Sequence, residues 1–170
     1  TMLVAMKKAD GLVGGATYST ADTVRPALQL VKTKPGSKIV SSAFILVRGD
    51  EKLAMGDCAI NIMPTEDNIV EIALETANTA KVFGIEPKVA MLSYSTKGSA
   101  KHEMVDKVVE ATKLAQNRGY LIDGEMQLDS ALDLSTAKKK GVTSEVGGQA
   151  NVLIFPDLNA GNIGYKLAAR

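Results

Sequence analysis

The pattern that most constrains the fold is an alternation of short apolar runs with longer amphipathic segments. Apolar runs predict strands at Ile39–Val47, Lys52–Ile60, Lys88–Tyr94, Leu121–Leu128 and Asn151–Phe155. The two clearest amphipathic segments predict two helices. One begins after Thr65, and the other spans Lys101–Asn117. Strands that alternate with such helices form βαβ units, whose strands run parallel under helices on both faces.

Gly49-Asp50, between the first two of these runs, is a hairpin signal and predicts one antiparallel pair. The predicted fold class is therefore α/β. We expect a three-layer, mixed but mainly parallel sheet with helices on both faces, in a single domain over residues 1–170.

The N-terminal part of the chain predicts one further strand and one helix. Asp10–Gly15 is a short apolar run with glycines, typical of a strand that ends in a tight turn. Ser19 and Asp22 have the spacing of a capping box, and Pro26 is tolerated near the first turn of a helix but not in its interior. We therefore expect a helix over residues 23–32.

Composition argues against several classes of function. The chain has 170 residues, a formal net charge of +1, 4% aromatic residues and no tryptophan, which disfavours nucleic-acid binding. No apolar run approaches the roughly 20 residues that span a bilayer, so no membrane partner is expected. The single cysteine, Cys58, precludes an internal disulfide and fits a cytoplasmic protein. Neither end has the pattern of a natural terminus, so we expect a piece of a longer protein.

Three segments share the layout of a strand, a loop of small residues and a helix start. They are Gly14–Thr20, Ser93–Ser99 and Asn159–Gly164. Ligands of open α/β sheets bind at the carboxyl ends of the strands, and free N–H groups at a helix start attract anions. The layout predicts a phosphate-binding edge. Ordinary hydroxyl caps and a glycine turn before a solvated helix are the structural alternatives, which the sequence leaves open.

Individual side chains in two of these segments suit phosphate. Ser95, Thr96 and Lys97 follow a predicted strand, although the spacing of a Walker loop is absent. The polar side chains that can line the same edge near the C-terminus are Asn159, Asn162, Tyr165 and Lys166.

Arg25 is the sharpest single candidate. In the predicted helix it falls in the first turn, where a cation opposes the helix dipole unless an anion compensates. Arginine also makes planar, two-pronged contacts with phosphate. The alternative is an ion pair with Asp22 or another carboxylate.

The other reactive side chains favour structural roles. Asp123, Glu125 and Asp129 alternate on one face of a predicted strand, and a solvated strand face is favoured there over a metal or acid–base cluster. Asp57 beside Cys58 indicates a buried turn, with Cys58 as a small core residue rather than a nucleophile. No zinc-ligand spacing occurs, so no metal and no cofactor are expected.

Several longer motifs carry a resemblance to a known family. They are Ala9–Val13, Ser19–Gln29, Asp57–Asn61, Val89–Ser99, Asp123–Gln127 and Ala160–Lys166. Together and in this order they resemble the bacterial phosphate acetyltransferases (phosphotransacetylases) essentially end to end. The resemblance implies a fold like that of isocitrate and isopropylmalate dehydrogenases. It also implies a two-domain subunit with the active site in the cleft between domains, and a homodimer.

The resemblance implies a reaction as well. Acetyl-CoA and phosphate give acetyl phosphate and CoA through a ternary complex, with coenzyme A as a substrate and no fixed metal. The protein contributes positioning and charge stabilisation. Two other functions stay open. One is a non-catalytic acyl-CoA sensor, like the transferase-like modules fused to some malic enzymes, and the other is a dimerisation unit.

The resemblance also implies site residues, at the positions of this chain that match the family's motifs. Arg25 matches the cleft arginine that contacts phosphate or CoA, and Ser19 and Thr20 match the hydroxyl loop before it. Tyr165 and Lys166 match the start of a cleft-lining helix.

The chain departs from the family pattern in two ways. Tyr18 stands where the family usually has histidine. The family's serine–arginine pair and its general-base aspartate lie in a segment beyond Arg170, so no catalytic residue is expected within residues 1–170. The chain then corresponds mostly to the family's second domain, and alone it is expected to have negligible transferase activity.

Overall fold

The computed structural model describes every residue from Thr1 to Arg170 and divides into two compact units. Thr1–Val40 forms the first unit and Ser41–Arg170 the second. A single domain over residues 1–170 stays a prediction. None of the helices is long and apolar enough to cross a bilayer.

The first unit contains two helices, α1 (Met2–Ala5) and α2 (Thr20–Leu30). The Ser19 hydroxyl caps α2 by accepting the Asp22 N–H, as the capping-box spacing indicates. Because this cap sets the start, α2 begins three residues before the predicted helix and holds Pro26 in its interior. The prediction of a strand at Asp10–Gly15 is wrong, since this segment has no neighbouring strand to pair with.

The second unit is built on one five-stranded sheet in the order β1-β2-β5-β3-β4. Its strands are β1 (Ala43–Arg48), β2 (Glu51–Gly56), β3 (Lys88–Leu92), β4 (Leu121–Met126) and β5 (Val152–Ile154). β1 and β2 pair antiparallel around the Gly49-Asp50 turn, and every other pairing in the sheet is parallel. The predicted mixed, mainly parallel sheet is confirmed.

Five helices connect and follow these strands. They are α3 (Glu66–Val82), α4 (Glu103–Ala115), α5 (Leu128–Leu132), α6 (Leu134–Lys139) and α7 (Leu158–Ala168). Thr65 begins α3 as predicted, through a capping box in which Thr65 and Asn68 each accept the other's backbone N–H. Leu128, predicted at the end of a strand, instead begins α5.

The sheet is covered on both faces, which confirms the three-layer prediction. Successive residues of β2 contact the helices on opposite faces of the sheet, because side chains along a strand alternate between the two faces. Gly56 lies against Thr76 of α3, whereas Met55 joins a core cluster with Ala131 of α5 and Ala137 of α6.

The hydroxyl of Thr76 provides a test of packing between α3 and the sheet. Thr76 is 1% exposed, and its Oγ1 is buried without a hydrogen-bond partner. A buried hydroxyl without a partner is destabilising. Thr76→Val is therefore expected to raise the free energy of unfolding by about 1 kcal/mol, measured by urea denaturation.

Thr112 of α4 is the matched control. It is 2% exposed, but its Oγ1 donates to the Val108 carbonyl at 2.7 Å. Thr112→Val removes a made hydrogen bond and is expected to lower the free energy of unfolding by about 1 kcal/mol. Equal losses in both variants would contradict the assignment at Thr76.

Candidate functional site

The loops that follow β2, β3, β4 and β5 lie at the carboxyl edge of the sheet, because these four strands are parallel. α3 and α4 follow β2 and β3 and cover one face, while α5, α6 and α7 follow β4 and β5 and pack on the other. Neighbouring strands therefore send their chains to opposite faces. Such switch points open crevices where ligands of α/β sheets bind.

In the loop Ser93–Ser99 after β3, the N–H groups of residues 95–99 are engaged within the protein and are not free for a ligand. The N–H groups of residues 95–99 donate in turn to Ser93 Oγ, Ser99 Oγ, Glu125 O, Glu125 Oε1 and Thr96 O. The hydroxyls of Ser95 and Thr96 are also engaged, with Glu125 and Gln127. The predicted phosphate cradle of Ser95, Thr96 and Lys97 is therefore wrong for these N–H and hydroxyl groups.

A buried carboxylate holds this loop in place. Glu125 of β4 is 3% exposed and accepts the Ser95 hydroxyl and the Gly98 N–H, both at 2.8 Å. A carboxylate with two such donors is a strong anchor, because hydrogen bonds to charged groups are stronger than neutral ones. The position of the loop is thus fixed by hydrogen bonds to Glu125 of β4.

Asp123 forms a second anchor on the same strand. It is 6% exposed and accepts Lys97 Nζ and Ser144 Oγ, each at 2.5 Å. Lys97 also donates to the Gly124 carbonyl at 2.8 Å and takes a left-handed backbone conformation with φ of 49°. The ammonium therefore neutralises a carboxylate that is nearly out of solvent.

These contacts correct the prediction of a solvated strand face. Asp123 and Glu125 are buried because Ser144, in the connection from α6 to β5, and the loop after β3 lie over them. Asp129 lies beyond the strand and is exposed as expected. The hydrogen bond from Lys140, 2.7 Å from Asp129 Oδ2, is the main cause that lowers the pKa of Asp129.

The turn after β2 is built around Asp57, which is 4% exposed. One carboxylate oxygen accepts the N–H groups of Ser42, Ala59 and Ile60, and the other accepts the N–H of Asn61 at 2.8 Å. The side chains of Ser42 and Asn61 donate to it as well. Both oxygens are saturated, which confirms the predicted buried turn.

Cys58 in this turn is a core residue, as predicted. It has no solvent exposure, and its N–H donates to Ser42 Oγ at 3.1 Å. Burial, with a smaller contribution from the Asp57 charge, raises the pKa of the Cys58 thiol to about 12. The thiolate needed for nucleophilic attack is therefore not formed at neutral pH.

Helix α7 begins earlier than the sequence suggests. The predicted glycine loop Asn159–Gly164 is wrong, because Asp157 caps a helix that starts at Leu158. Gly161 is buried where a side chain would collide with the Asp57 carbonyl oxygen. The glycine is thus required for close packing of a helix on the turn after β2, and not for a loop.

The predicted site residues on α7 differ in their surroundings. Asn162 donates its side-chain N–H to the Cys58 carbonyl at 3.1 Å. Tyr165 stacks on Phe44 of β1 with ring centroids 4.2 Å apart. Asn159 and Lys166 are exposed, and the Lys166 ammonium lies 5.9 Å from the Tyr165 ring centroid. The structure therefore brings these four predicted residues onto one helix, two with internal partners and two facing solvent.

The other predicted residues, Ser19, Thr20 and Arg25, lie at the start of α2. Because α2 begins at Thr20, Arg25 is in its second turn, and the prediction of a first-turn position is wrong. Its guanidinium is 3.6 Å from Asp22 and its side chain is 64% exposed. The backbone N–H groups of Thr20 and Ala21 have no acceptor within the chain. This helix start thus keeps free donors and an exposed guanidinium.

The sequence interpretation missed Glu125 as the anchor of the loop after β3. A signal was present, because in a sheet covered on both faces even the edge strand β4 has no solvated face. Acidic residues there need internal donors, and Ser93–Ser99 is rich in them. No group of three or more His, Cys, Asp or Glu side chains is arranged to hold a metal ion.

Comparison with known proteins gives the family. The family model described as "Phosphate acetyl/butaryl transferase" matches residues 1–170. The phosphate acetyltransferase of Bacillus subtilis strain 168 is 57% identical over 172 residues, covering 100% of this chain and 53% of that protein. The chain spans about half the length of the curated relatives it matches.

Solved structures of related proteins are similar to this chain. A phosphotransacetylase from Streptococcus pyogenes superposes with a TM-score of 0.92 at 56% identity, covering 98% of this chain and 52% of that one. A branched-chain phosphotransacylase from Enterococcus faecalis V583 superposes with a TM-score of 0.79 at 26% identity, covering 96% of this chain and 60% of that one. The match of the family model over residues 1–170 and the 57% identity to the Bacillus subtilis protein show that this chain belongs to the phosphate acetyl/butaryl transferase family.

Proposed function

We propose that this chain forms part of a phosphate acetyltransferase, which converts acetyl-CoA and phosphate into acetyl phosphate and CoA. The observation that carries the proposal is 57% identity over the entire chain to a relative named as that enzyme. The acyl-CoA sensor is not favoured, because the similar proteins are named as transferases.

In this reaction a phosphate oxygen attacks the thioester carbonyl carbon and the carbon–sulfur bond breaks. CoA leaves as the thiolate and the acetyl group stays on phosphate. The protein binds two anionic substrates and holds them in reacting geometry. Cationic and N–H donors that face solvent are therefore the groups to expect at the substrates.

Helix α2 supplies such groups. The free N–H groups of Thr20 and Ala21 and the positive end of the helix dipole attract phosphate. Ser19 and Thr20 add hydroxyls, although the Ser19 hydroxyl already donates to Asp22 at 2.6 Å. The Asp22 ion pair of Arg25 is exposed and weak, so a phosphate group can displace Asp22 from the guanidinium.

Helix α7 contributes in two ways under this proposal. Asn159 and Lys166 face solvent and contact CoA or phosphate directly. Tyr165 and Asn162 have partners inside the second unit, so they fix the orientation of the helix that carries Asn159 and Lys166.

Arg25→Ala is expected to weaken binding of CoA or phosphate by about tenfold or more, since a charge-assisted hydrogen bond is lost. Isothermal titration of the 170-residue chain with each ligand measures this. Arg48→Ala is the matched control, because Arg48 is 88% exposed in its side chain and pairs with Glu51 in the same i,i+3 spacing.

Weaker ligand binding by Arg25→Ala, together with unchanged binding by Arg48→Ala, supports the assignment of Arg25 to the substrate site. Equal affinities in the two variants, with the original chain binding, would remove Arg25 from the site. If the original chain binds neither ligand at millimolar concentration, the rest of the enzyme builds the site, and the Arg25 comparison is then made in the longer protein.

The resemblance assigns no catalytic residue to residues 1–170, so the isolated chain is proposed to lack turnover; acetyl phosphate trapped with hydroxylamine would contradict this. The proposal extends to a homodimer in the cytoplasm. A buried, unpaired Cys58 supports a reducing compartment, and light scattering on the longer enzyme measures its oligomeric state.

A further inference from the structure

Tyr94 is the one tyrosine of the second unit whose side chain has no partner within the chain. Tyr120 donates its hydroxyl to Asn78, and Tyr165 stacks on Phe44. The Tyr94 side chain makes no hydrogen bond, ring stacking or cation contact, and the residue is 54% exposed. A ring left in solvent adds little to the stability of the fold, because hydrophobic stabilisation scales with the apolar area removed from water.

The position of Tyr94 is one where α/β sheets bind ligands. It lies two residues beyond β3, at the carboxyl edge of the sheet. β3 runs between β5 and β4 and is parallel to both. The chain leaves β3 toward the face covered by α4, whereas it leaves β5 and β4 toward the opposite face. The end of β3 is therefore flanked on each side by a switch point, where a crevice for a ligand opens.

The backbone on both sides of Tyr94 is fixed by the neighbouring strand β4. The Ser93 N–H donates to the Met126 carbonyl at 3.0 Å, and the Ser95 hydroxyl donates to Glu125 at 2.8 Å. The Ser95 N–H also donates to Ser93 Oγ at 3.2 Å, so the short turn with Tyr94 at its middle is held in place. A ring presented from a fixed backbone gives up little conformational freedom when a ligand binds.

The two proposed substrates differ in what a tyrosine ring can recognise. Phosphate is a compact anion with no flat or apolar part. Coenzyme A carries an adenine ring, whose face stacks on aromatic side chains, and loss of one such contact weakens binding by about tenfold. An exposed and fixed ring at the sheet edge therefore suits coenzyme A and not phosphate.

We propose that Tyr94 is a binding residue for coenzyme A and stacks on its adenine ring. The inference rests on the proposed function, because that function supplies coenzyme A as a substrate. The loop after β3 then contributes the Tyr94 ring to substrate binding, although the N–H groups of residues 95–99 are engaged within the protein.

The test uses a chimera in which this chain replaces the aligned segment of the Bacillus subtilis phosphate acetyltransferase. Tyr94→Ala is expected to raise the KM for CoA by about tenfold and to leave the KM for acetyl phosphate unchanged. Isothermal titration with ADP, which carries adenine but not the thiol arm of CoA, should show a similar loss of affinity. An unchanged KM for CoA would overturn the proposal, as would a loss of affinity for pantetheine with none for ADP.

Two further variants separate stacking from other causes. Tyr94→Phe keeps the ring and is expected to recover most of the affinity for CoA, so a Phe variant as weak as Tyr94→Ala would contradict stacking. Tyr120→Ala is the matched control, because Tyr120 immediately precedes β4 at the amino edge of the sheet, and it should leave the KM for CoA unchanged.

The outcomes also separate this inference from the proposed function. A folded chimera that binds neither CoA nor ADP would contradict the proposed function, and this inference with it. A chimera that is active, with the same KM for CoA in the original and Tyr94→Ala forms, would contradict the role of Tyr94 alone. Because Tyr94 is exposed, Tyr94→Ala is expected to keep the melting temperature of the chimera, which is measured alongside.

Discussion

Replacing Asp57 with asparagine is expected to lower the free energy of unfolding by about 3 kcal/mol at pH 7. The carboxylate is 4% exposed, and both oxygens accept from several donors that include the N–H groups of Ala59 and Asn61. An amide offers one acceptor oxygen and turns its NH₂ group toward the remaining donors. Those buried donors are then left unpaired, which costs more than the lost hydrogen bonds themselves.

The effect of Asp57→Asn is expected to depend on pH. Burial raises the pKa of Asp57, but hydrogen bonds from Ser42, Ala59 and Asn61 outweigh it, and the net pKa is lowered from 3.8. A lowered pKa in the folded state stabilises the protein fully above the unfolded-state pKa of about 3.9. That contribution is lost as pH falls through the folded-state pKa.

The difference in unfolding free energy between the original chain and Asp57→Asn should therefore shrink below about pH 4. Urea denaturation over a pH series measures this difference. Asp50→Asn in the exposed hairpin turn is the control and is expected to match the original chain throughout. A constant difference down to the lowest pH would show that the charge of Asp57 is not responsible.

Glu125→Ala is expected to lower the free energy of unfolding by about 2 to 3 kcal/mol. It leaves the Ser95 hydroxyl, which has no solvent exposure, and the Gly98 N–H without their acceptor. Because both donors belong to the loop after β3, the loss should appear there first. The Gly98 amide is expected to exchange faster with solvent, measured by hydrogen exchange.

Two comparisons sharpen this test. Glu125→Gln keeps one acceptor oxygen and is expected to lose less stability than Glu125→Ala. Glu145→Ala, at an exposed position, should change neither stability nor exchange of the Gly98 amide. If Glu125→Ala and Glu145→Ala behave alike, the loop is held by something other than the carboxylate.

Most of the second unit could be predicted from local patterns. The hairpin at Gly49-Asp50 and the capped start of α3 at Thr65 follow from turn and cap chemistry, which act over a few residues. Apolar runs located β3 and β5, although each predicted strand is longer than the observed one. Turn and cap signals act over a few residues, so they predict that a helix or strand is present. They predict its first and last residues less accurately.

The misses have a common cause in long-range contacts. Alternation along β4 predicted solvent around Asp123 and Glu125, but segments distant in sequence cover them. The glycines of α7 looked like a loop because the Asp57 carbonyl that requires Gly161 is far along the chain. At Arg25 the error was local, since Pro26 outweighed the Ser19 cap in the interpretation.

Because Cys58 is buried, the rate at which its thiol is alkylated reports how often the turn after β2 opens. It is the single cysteine, it has no solvent exposure, and its thiol pKa is about 12. An alkylating reagent needs the thiolate and access to it, so labelling occurs when the turn after β2 opens. The rate at which label accumulates under native conditions therefore counts openings of that turn, without any added probe.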